Sequence, residues 1–370
     1  MDEISVDWIA PTVYSECTWH QLAPYIGRMK SSMARSLVER FSEPGELIYD
    51  PFSGAGTVGL EAWLAGRAVV SGDLNPYAYV LTKGKLYAPS SERSALKRLN
   101  ECWEEAKAVR SGIDLRRVPK WVRAFFDRET LRETLALTNV LRRRRQWFLL
   151  SCLLGILHHW RPAFLSHPAS HTVPYLMTKR FPRSEHPEMY GYKPVHAKLK
   201  AKVRRAFVRP GNADRQLRRT VLKAGAAALN GALNGQSPSA IITSPPYMNS
   251  LSYARDNRLR LWFLGTEDHR DLEGLLSPRK RAFLQLMEAM LPRWAEVLPK
   301  GAPCVLVLGA VRRDGASHDL PNEVAALTER PDCRFAVTAL CRNAIPDGRR
   351  ARVSCRSTRE ETIMVLRRKG

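Results

Sequence analysis

The chain has 370 residues, of which 44% are apolar and 26% are charged, so it can bury a sizeable core and is long for a single domain. Lys and Arg number 59 against 36 Asp and Glu, and this net charge of +23 is spread along the chain, which indicates a polyanionic partner and favours nucleic acid over a membrane. No signal peptide is recognised and no apolar run reaches the roughly 18 residues of a membrane-spanning helix, so we expect a cytoplasmic protein. The seven cysteines form no CxxC pair and no metal-ligand spacing, which predicts reduced thiols and no metal site.

The first predicted element is a helix near the start of the chain. Apolar residues recur at helical spacing from Met33 to Phe41, behind Ser31 and Ser32, whose hydroxyls can cap the first turn. Pro44-Gly45 is expected to end this helix.

A strand, a glycine loop, a helix and a second strand follow. Residues 46–50 predict the strand, residues 51–57 (Pro-Phe-Ser-Gly-Ala-Gly-Thr) the loop and residues 58–64 the helix, while residues 67–72 predict the strand that leads into Asp73. Glycines let the backbone approach a ligand, and an acidic residue 17 positions after the second glycine can accept hydrogen bonds from ribose hydroxyls. The order therefore predicts a cofactor with a ribose at the switch point of a doubly wound sheet. A nicotinamide dinucleotide is the main competitor, and it fits worse because the spacing of a third glycine is absent.

The middle of the chain contains a predicted helical segment followed by a proline-rich, basic segment. Residues 91–160 predict helices, with an exposed arginine block at 142–145 that is either a solvated face or a phosphate contact. Residues 161–215 are interrupted by seven prolines and predict irregular backbone, and the segment 179–223 holds 14 Lys and Arg against 3 Asp and Glu. Positive charge with interleaved aromatics predicts a nucleic-acid-binding surface, whose candidate residues are Lys179, Arg180, Lys198, Lys200, Arg204 and Arg205. His167 and His171 share no ligand-like spacing with a Cys or carboxylate, so no metal is expected there.

The remaining elements alternate between strands and helices. In chain order we predict a strand at 219–224, a helix at 226–233, a strand at 241–243, a helix at 283–298 and strands at 303–309, 335–341 and 362–367. Cys304 stands at the start of an apolar strand with no following Gln, and is interpreted as a core cysteine rather than a nucleophile.

The stretch Ile241 to Tyr247 (Ile-Ile-Thr-Ser-Pro-Pro-Tyr) predicts a buried strand that stops at a rigid turn. The Ser244 hydroxyl and the Pro245 carbonyl can accept hydrogen bonds together, and Tyr247 can stack on a planar ring. A nucleobase with an exocyclic amine has these features. The alternative is an ordinary turn between a strand and a loop.

The motif Thr-Ser-Pro-Pro-Tyr at 243–247 and the motif Asp-Pro-Phe-Ser-Gly-Ala-Gly-Thr at 50–57 resemble those of the amino-group DNA methyltransferases, which transfer a methyl group from S-adenosylmethionine to a base. The resemblance implies an α/β, Rossmann-like methyltransferase domain with a largely helical and irregular basic insertion. It implies catalytic roles for Ser244, Pro245, Pro246 and Tyr247. It also implies cofactor contacts by Asp50, Pro51, Phe52, Ser53, Gly54, Gly56, Thr57, Asp73, Leu74 and Asn75.

Other segments resemble the family less closely. Residues 24–30 resemble its amino-terminal motif beside the methionine part of the cofactor, residues 252–265 the helix after the catalytic turn of cytosine N4 enzymes, and residues 361–366 the closing strand. Family members usually carry an acidic residue near the cofactor adenine, where this chain has Ala-Gly-Ala-Ala-Ala at 224–228. That departure places cofactor affinity in question.

The resemblance implies four regions: 1–45, an amino-terminal helical segment; 46–90, a cofactor half; 91–216, an inserted target-recognition region; and 217–370, a catalytic half. Ser244 in place of an aspartate favours transfer to the N4 amine of cytosine in double-stranded DNA, with the base flipped out of the helix. A separate restriction endonuclease could accompany such an enzyme. The alternatives are adenine N6 in DNA, a base in RNA, or a nucleic-acid-binding protein that has lost catalysis.

Overall fold

The computed structural model describes residues 15–159, 164–170, 173–246, 253–275, 280–313, 316–318, 320–344 and 360–370; side chains at 274–275, 310–319, 343–344 and 360 lie outside the description. Within these ranges the chain forms an eight-stranded sheet with helices on both faces. The α/β fold class expected from the sequence is confirmed.

The strands of the sheet follow the order β3-β2-β1-β4-β5-β8-β7, and β6 pairs with β5. The first five in this order are parallel, whereas β8 runs antiparallel to both β5 and β7. Their bounds are β1 (Leu47–Asp50), β2 (Ala68–Gly72), β3 (Arg219–Leu222), β4 (Ala240–Thr243), β5 (Pro303–Arg313), β6 (Ala316–His318), β7 (Phe335–Ala344) and β8 (Glu360–Arg368). All predicted strands are present, although β3 is shorter than predicted and β5 is longer.

Helices precede, separate and follow the strands. In the described part of the chain they are α1 (Ser31–Phe41), α2 (Thr57–Leu64), α3 (Pro76–Leu86), α4 (Glu92–Arg110), α5 (Lys120–Arg123), α6 (Arg128–Arg143), α7 (Trp147–Gly155), α8 (Val195–Ala206), α9 (Ala226–Leu229), α10 (Tyr253–Asp256), α11 (Arg258–Phe263), α12 (Arg270–Leu275), α13 (Lys280–Val297) and α14 (Leu320–Thr328). Short 3-10 turns lie at Thr18–Gln21, Leu115–Arg117, Pro187–Tyr190 and Asn230–Leu233.

Three local predictions are corrected by these bounds. Helix α1 begins at Ser31 itself without a side-chain cap, because the Ser31 hydroxyl donates to Glu16 Oε2 at 3.0 Å. The segment 161–215 is not irregular throughout, since it contains α8, which starts directly after Pro194, where proline needs no helical partner for its missing N–H. In place of the helix predicted at 226–233, the structure has a single turn of α-helix, α9, followed by a 3-10 turn.

The two faces of the sheet bury two separate hydrophobic clusters. Along β4 and β5, Ile242 and Val305 belong to the cluster beneath α1 to α8, while Ile241 and Cys304 belong to the cluster beneath α9, α13 and α14. This alternation reflects the two-residue period of a strand, and cover on both faces explains why these strands are apolar throughout. Cys304 is fully buried, and burial raises the pKa of its thiol, so it is a core cysteine as predicted.

None of the helices in the described ranges combines the length and the apolar character needed to cross a bilayer.

The packing of α7 depends on Gly155 at its end. A Cβ atom at this position would fall against the carbonyl oxygen of Leu22 and within 3.1 Å of the Cα atom of Ala23. We therefore expect Gly155→Ala to lower the free energy of unfolding by about 1–3 kcal/mol, measured by urea titration. Gly231→Ala is the matched control, because no heavy atom lies within 4 Å of its Cβ position. Equal stability of the two variants would show that the contact between α7 and the amino-terminal segment is not tight.

Candidate functional site

The candidate site lies where the carboxyl ends of β1, β2 and β4 meet. Asp50 ends β1, Asp73 follows β2 and Ser244 follows β4. The chain order of the strands reverses between β1 and β4, and open α/β sheets bind ligands in the crevice at such a switch point.

The glycine loop between β1 and α2 has left-handed backbone at two positions. Gly54 has φ +48° and Gly56 has φ +69°, a region that side chains disfavour. A Cβ on Gly56 would lie 2.7 Å from Thr82 Oγ1, so this glycine lets the loop rest on α3. A Cβ on Gly54 would lie 3.6 Å from the Tyr25 ring. Gly54 thus keeps the cleft beside Tyr25 open.

Asp73 fixes the loop in place. Its Oδ2 accepts a hydrogen bond from the Gly54 N–H and its Oδ1 one from the Asn75 N–H, both at 2.9 Å. Burial raises the pKa of Asp73 to about 6 against the pull of these two N–H groups. Each oxygen keeps a further lone pair, so the carboxylate can still accept hydrogen bonds from a ligand.

Thr243 joins the glycine loop to the strand that leads into Ser244. Its Oγ1 donates to Asp50 Oδ1 at 2.7 Å and accepts from the Phe52 N–H at 3.1 Å. Burial raises the pKa of Asp50 to about 7, and the charge of Asp73 acts in the same direction. Thr243 is part of the predicted catalytic stretch, but its role as a bridge between strands could not be read from the sequence.

The turn that follows β4 is held to the neighbouring strand through Ser244. The Ser244 hydroxyl donates to the Val307 carbonyl of β5 at 3.1 Å. Its only hydrogen is therefore directed to the sheet, and its oxygen lone pairs stay available to accept from a ligand. Tyr247, the fourth predicted catalytic residue, lies outside the described residues.

These groups line one open pocket, with about 610 Å³ of empty space that includes the solvent at its mouth. The predicted residues on its wall are Asp50, Phe52, Ser53, Gly54, Thr57, Asp73, Asn75, Ser244 and Pro246. The predicted residues Pro51, Gly56, Leu74 and Pro245 are not part of this wall.

Residues outside the predicted set complete the pocket. Tyr25, Arg28, Met29 and Tyr253 line it, and the rings of Tyr25 and Tyr253 stack with centroids 6.0 Å apart. Their signal was present in the sequence, because they belong to the segments 24–30 and 252–265 with the looser family resemblance. The segment after β3 adds no acid: Leu74 lies 3.5 Å from the Cβ position of Gly225, which gives this side an apolar surface.

The charges in the pocket suit a cationic cofactor. In the described part of the chain neither Asp50 nor Asp73 forms an ion pair, and burial raises the pKa of both. A positive group beside two such carboxyls would favour their ionised forms. S-adenosylmethionine carries two positive groups, the sulfonium and the α-ammonium, so the residues present fit it.

The six predicted nucleic-acid contacts lie away from this pocket. None of them lines it, and four of them, Lys198, Lys200, Arg204 and Arg205, lie on α8. Arg204 on α8 lies 3.8 Å from Glu92, the first residue of α4. Tyr87, shortly before α4, donates its hydroxyl hydrogen to the carbonyl of Arg219 at the start of β3. The parallel strands begin at this end of the sheet and run towards the pocket. The carboxyl-terminal end of α8 therefore lies at the end of the sheet opposite the pocket. DNA binding by these residues stays a prediction.

Comparison with known proteins supports the cofactor side of the site. Residues 20–118, which include the glycine loop and Asp73, match the family model described as "RMKL-like, methyltransferase domain". No curated protein matches the chain. The matched segment is less than half of the chain, so the match describes the cofactor-binding part.

Two solved structures are among those that match the chain. TrmN from Thermus thermophilus shares 12% identity over 95% of this chain and 52% of that chain, with a TM-score of 0.38. The rRNA methyltransferase aviRa from Streptomyces viridochromogenes shares 14% identity over 93% of this chain and 87% of that chain, with a TM-score of 0.35. This chain spans about half the length of TrmN. At these identities no substrate is carried over from either.

The chain therefore carries a methyltransferase domain of Rossmann-like fold, and its cofactor is S-adenosylmethionine.

The raised pKa of Asp50 predicts a pH-dependent cost to folding. Its pKa is 3.8 in an unconstrained chain and about 7 in the fold, so the folded chain binds more protons between these values. The free energy of unfolding then falls as the pH rises through that window, by up to about 1.4 kcal/mol per pH unit. We expect cofactor-free Asp50→Asn to gain stability over the unsubstituted chain between pH 5 and pH 8, as measured by urea titration.

The control for this comparison is Asp114→Asn. Asp114 is partly exposed, and its hydrogen bonds with Arg116 lower its pKa to about 2, so it stays ionised across the same range. Parallel stability profiles for Asp50→Asn and the unsubstituted chain would contradict the burial of a titrating carboxyl at Asp50.

Gly54 provides the test of cofactor placement. Gly54→Val would direct a branched side chain into the cleft beside Tyr25, so we expect S-adenosylmethionine binding to be lost in calorimetry. Gly45→Val is matched in backbone strain, since Gly45 has φ +89° with no heavy atom within 4 Å of its Cβ position, and it lies outside the pocket wall. The same affinity in both folded variants would place the cofactor elsewhere.

Proposed function

We propose that the chain transfers a methyl group from S-adenosylmethionine to the exocyclic amine of a base in RNA. The observation that carries the proposal is the placement of Ser244. Its hydroxyl opens onto the pocket lined by Asp50 and Asp73, while its hydrogen is engaged by Val307. An acceptor held beside the cofactor site is what an amine donor requires.

The reaction needs positioning more than it needs a nucleophilic side chain. An amine conjugated to a base ring is a poor nucleophile, because its lone pair is delocalised into the ring. Hydrogen bonds from the amine to Ser244 Oγ and the Pro245 carbonyl would draw that lone pair out of conjugation and orient it. When bound, S-adenosylmethionine supplies an electrophilic methyl group on its sulfonium sulfur.

The neutral hydroxyl of Ser244 has an electrostatic consequence. Asp50 and Asp73 already place two carboxyls in the pocket, and burial raises the pKa of each. A third carboxylate at the catalytic position would add like charge beside these two carboxyls. Serine accepts from the amine without that charge, whereas Tyr247 is assigned the stacking of the base by the family resemblance alone.

The choice of RNA differs from the order that the sequence favoured. The matching family model is described as an RMKL-like methyltransferase domain, and this description does not mention DNA. The specific support for DNA is therefore the resemblance of the motifs around Ser244. RNA presents unpaired bases in loops and bulges, whereas a base in a DNA duplex must first be extruded at a cost of a few kcal/mol. Cytosine N4 in duplex DNA is the second candidate, because Ser244 stands where adenine enzymes more often carry an aspartate.

The division of the chain belongs to the same proposal. Residues 46–90 would hold the cofactor, 217–370 would supply the catalytic turn, and 91–216 would contact the nucleic acid, with 1–45 closing the methionine side of the pocket. The reaction would take place in the cytoplasm.

The test pairs product identification with a substitution. The protein is incubated with labelled cofactor and with either RNA or DNA that lacks methylation, and the digested nucleosides are identified by mass spectrometry. We expect an N-methylated base in RNA. Ser244→Ala should reduce the transfer rate on the order of 100-fold and leave the Kd for S-adenosylmethionine unchanged, because only the amine loses its partner.

A second serine supplies the control. Ser239 precedes the other end of β4 and its hydroxyl donates to the Leu47 carbonyl at 3.1 Å, so Ser239→Ala removes a similar hydrogen bond far from the pocket. We expect it to retain the transfer rate. Label that appears in DNA and never in RNA would overturn the choice of polymer, and cofactor binding without transfer to either polymer would overturn the catalytic role.

A further inference from the structure

A second concave surface lies beside the cofactor pocket and is rich in positive charge. Its walls come from the start of α3, the end of α6, the start of α7 and the residue after β3, and it encloses about 880 Å³ of open space. We define the cationic groove by the residues Pro76, Tyr79, Arg142, Arg143, Trp147 and Lys223.

The cations of this groove are exposed and mostly lack acidic partners. Arg142 and Lys223 are exposed, and in the described part of the chain neither forms an ion pair. Arg143 pairs with Glu105, which also pairs with the neighbouring Arg144 at 2.8 Å. The wall thus presents two guanidinium groups and one ammonium, and among the described residues Arg143 alone of these three pairs with a carboxylate. Such an arrangement favours a phosphate-bearing ligand.

The turn that follows Arg143 has an unusual backbone. Arg145 has φ +52°, in the left-handed region where the end of a helix usually carries glycine. The turn is closed by hydrogen bonds from the Arg145 N–H to the Arg142 carbonyl and from the Gln146 N–H to the Leu141 carbonyl. An arginine in this conformation is disfavoured by the fold and adds a charge close to Tyr79, so local stability does not explain its presence.

Aromatic rings stand among these charges. Tyr79 and Trp147 are half-buried and meet edge to face, with centroids 5.6 Å apart. Positive charge together with ring faces is the combination that binds single-stranded nucleic acid, since cations meet the phosphates and rings accept stacked bases.

The groove begins where the cofactor pocket ends. Asn75 lines the pocket and Pro76, the next residue, lines the groove, while Tyr79 lies about one helical turn, roughly 5.4 Å, further along α3. Lys223 follows β3, which is three strands from β4 and its Ser244, a lateral distance of about 14 Å. That distance corresponds to a few nucleotides of a strand.

We propose that the cationic groove binds the backbone of the RNA strand adjoining the target base. This inference rests on the proposed function and deepens it, because it assigns the strand-holding surface to the arginine block of α6 and to Lys223. The surface on α8 predicted from the sequence has more charge, yet Arg204 on it lies at the opposite edge of the sheet. The groove instead lies at the carboxyl ends of the parallel strands, where the turn with Ser244 also lies.

The test measures RNA binding separately from methyl transfer. Binding of a labelled RNA stem-loop to the full chain is followed by fluorescence anisotropy from about 50 to 200 mM salt. For Arg142→Glu combined with Lys223→Glu, we expect the Kd to rise about tenfold or more at low salt and the salt slope to decrease by about 1.4, since two phosphate contacts are lost. Calorimetry should show an unchanged Kd for S-adenosylmethionine.

A pair at the amino-terminal edge of the sheet is the charge-matched control. Lys300 precedes β5 and Arg334 precedes β7, and both are exposed. Lys300→Glu combined with Arg334→Glu changes the net charge by the same amount, so we expect less than about a twofold change in the Kd for RNA.

Arg145 gives a second readout that a structural role would not produce. Arg145→Gly suits the left-handed backbone, so we expect Tm to stay constant or rise by about 1–3 °C while RNA binding weakens about threefold. Arg145→Lys keeps the charge and should restore most of the affinity. A loss of RNA affinity that follows a loss of Tm would contradict the proposal.

The outcomes separate the groove from the proposed reaction. Unchanged RNA affinity and salt slope in the Arg142 and Lys223 double variant would overturn the groove, even if the protein methylates RNA. Weakened binding in that variant, with no transfer by the unsubstituted protein, would support the groove and overturn the reaction. Binding to DNA of the same sequence in preference to RNA would overturn RNA as the occupant.

Discussion

The hydroxyl of Thr243 is the contact on which the rest of the site depends. It connects the carboxylate that ends β1 with the backbone N–H of Phe52 in the glycine loop, and it belongs to the strand that ends at Ser244. The glycine loop and the turn after β4 come from distant parts of the sequence, and the pairing of β1 with β4 brings them to the same end of the sheet. One side-chain oxygen then fixes the position of the glycine loop relative to the strand that leads into Ser244.

The same end of the sheet carries two buried carboxyls whose ionisation destabilises the fold when no ligand is bound. Asp50 and Asp73 are held in a crevice without a basic partner among the described residues, and each is harder to ionise than in water. A protein selected only for stability would place apolar or neutral groups there. The arrangement is understandable as preparation for a cationic ligand, and the left-handed Arg145 beside the groove has the same character. Both features reduce the stability of the empty fold at the places where a ligand is expected.

Much of this architecture could be predicted from sequence. The segment from β1 to Asp73 follows local rules, since glycines, β-branched residues and an acid at fixed spacing specify the strand, loop and helix without knowledge of the rest. The α8 helix is not predicted from the sequence, because the prolines around it indicate irregular backbone, whereas Pro194 lies just before the helix, where proline is tolerated. The cap at Ser31 failed because its hydroxyl hydrogen bonds to Glu16, and the pocket role of Tyr25 and Tyr253 depends on contacts between distant segments that spacing does not encode.

The central pairing of the sheet also determines how the chain can fold. Thr243 and Asp50 are separated by 193 residues, and β2 pairs with β3 across the whole helical insertion. Contacts of such long range require the closure of a large loop, which costs chain entropy before the contacts can stabilise the fold. They therefore form later and more slowly than local helices. The helices of the insertion can assemble earlier from nearby contacts, such as those between α4 and α6. The pocket has one wall on each side of the long-range pairing, so it is absent from any partly folded state in which β4 has not yet joined β1. Such a state could not bind the cofactor.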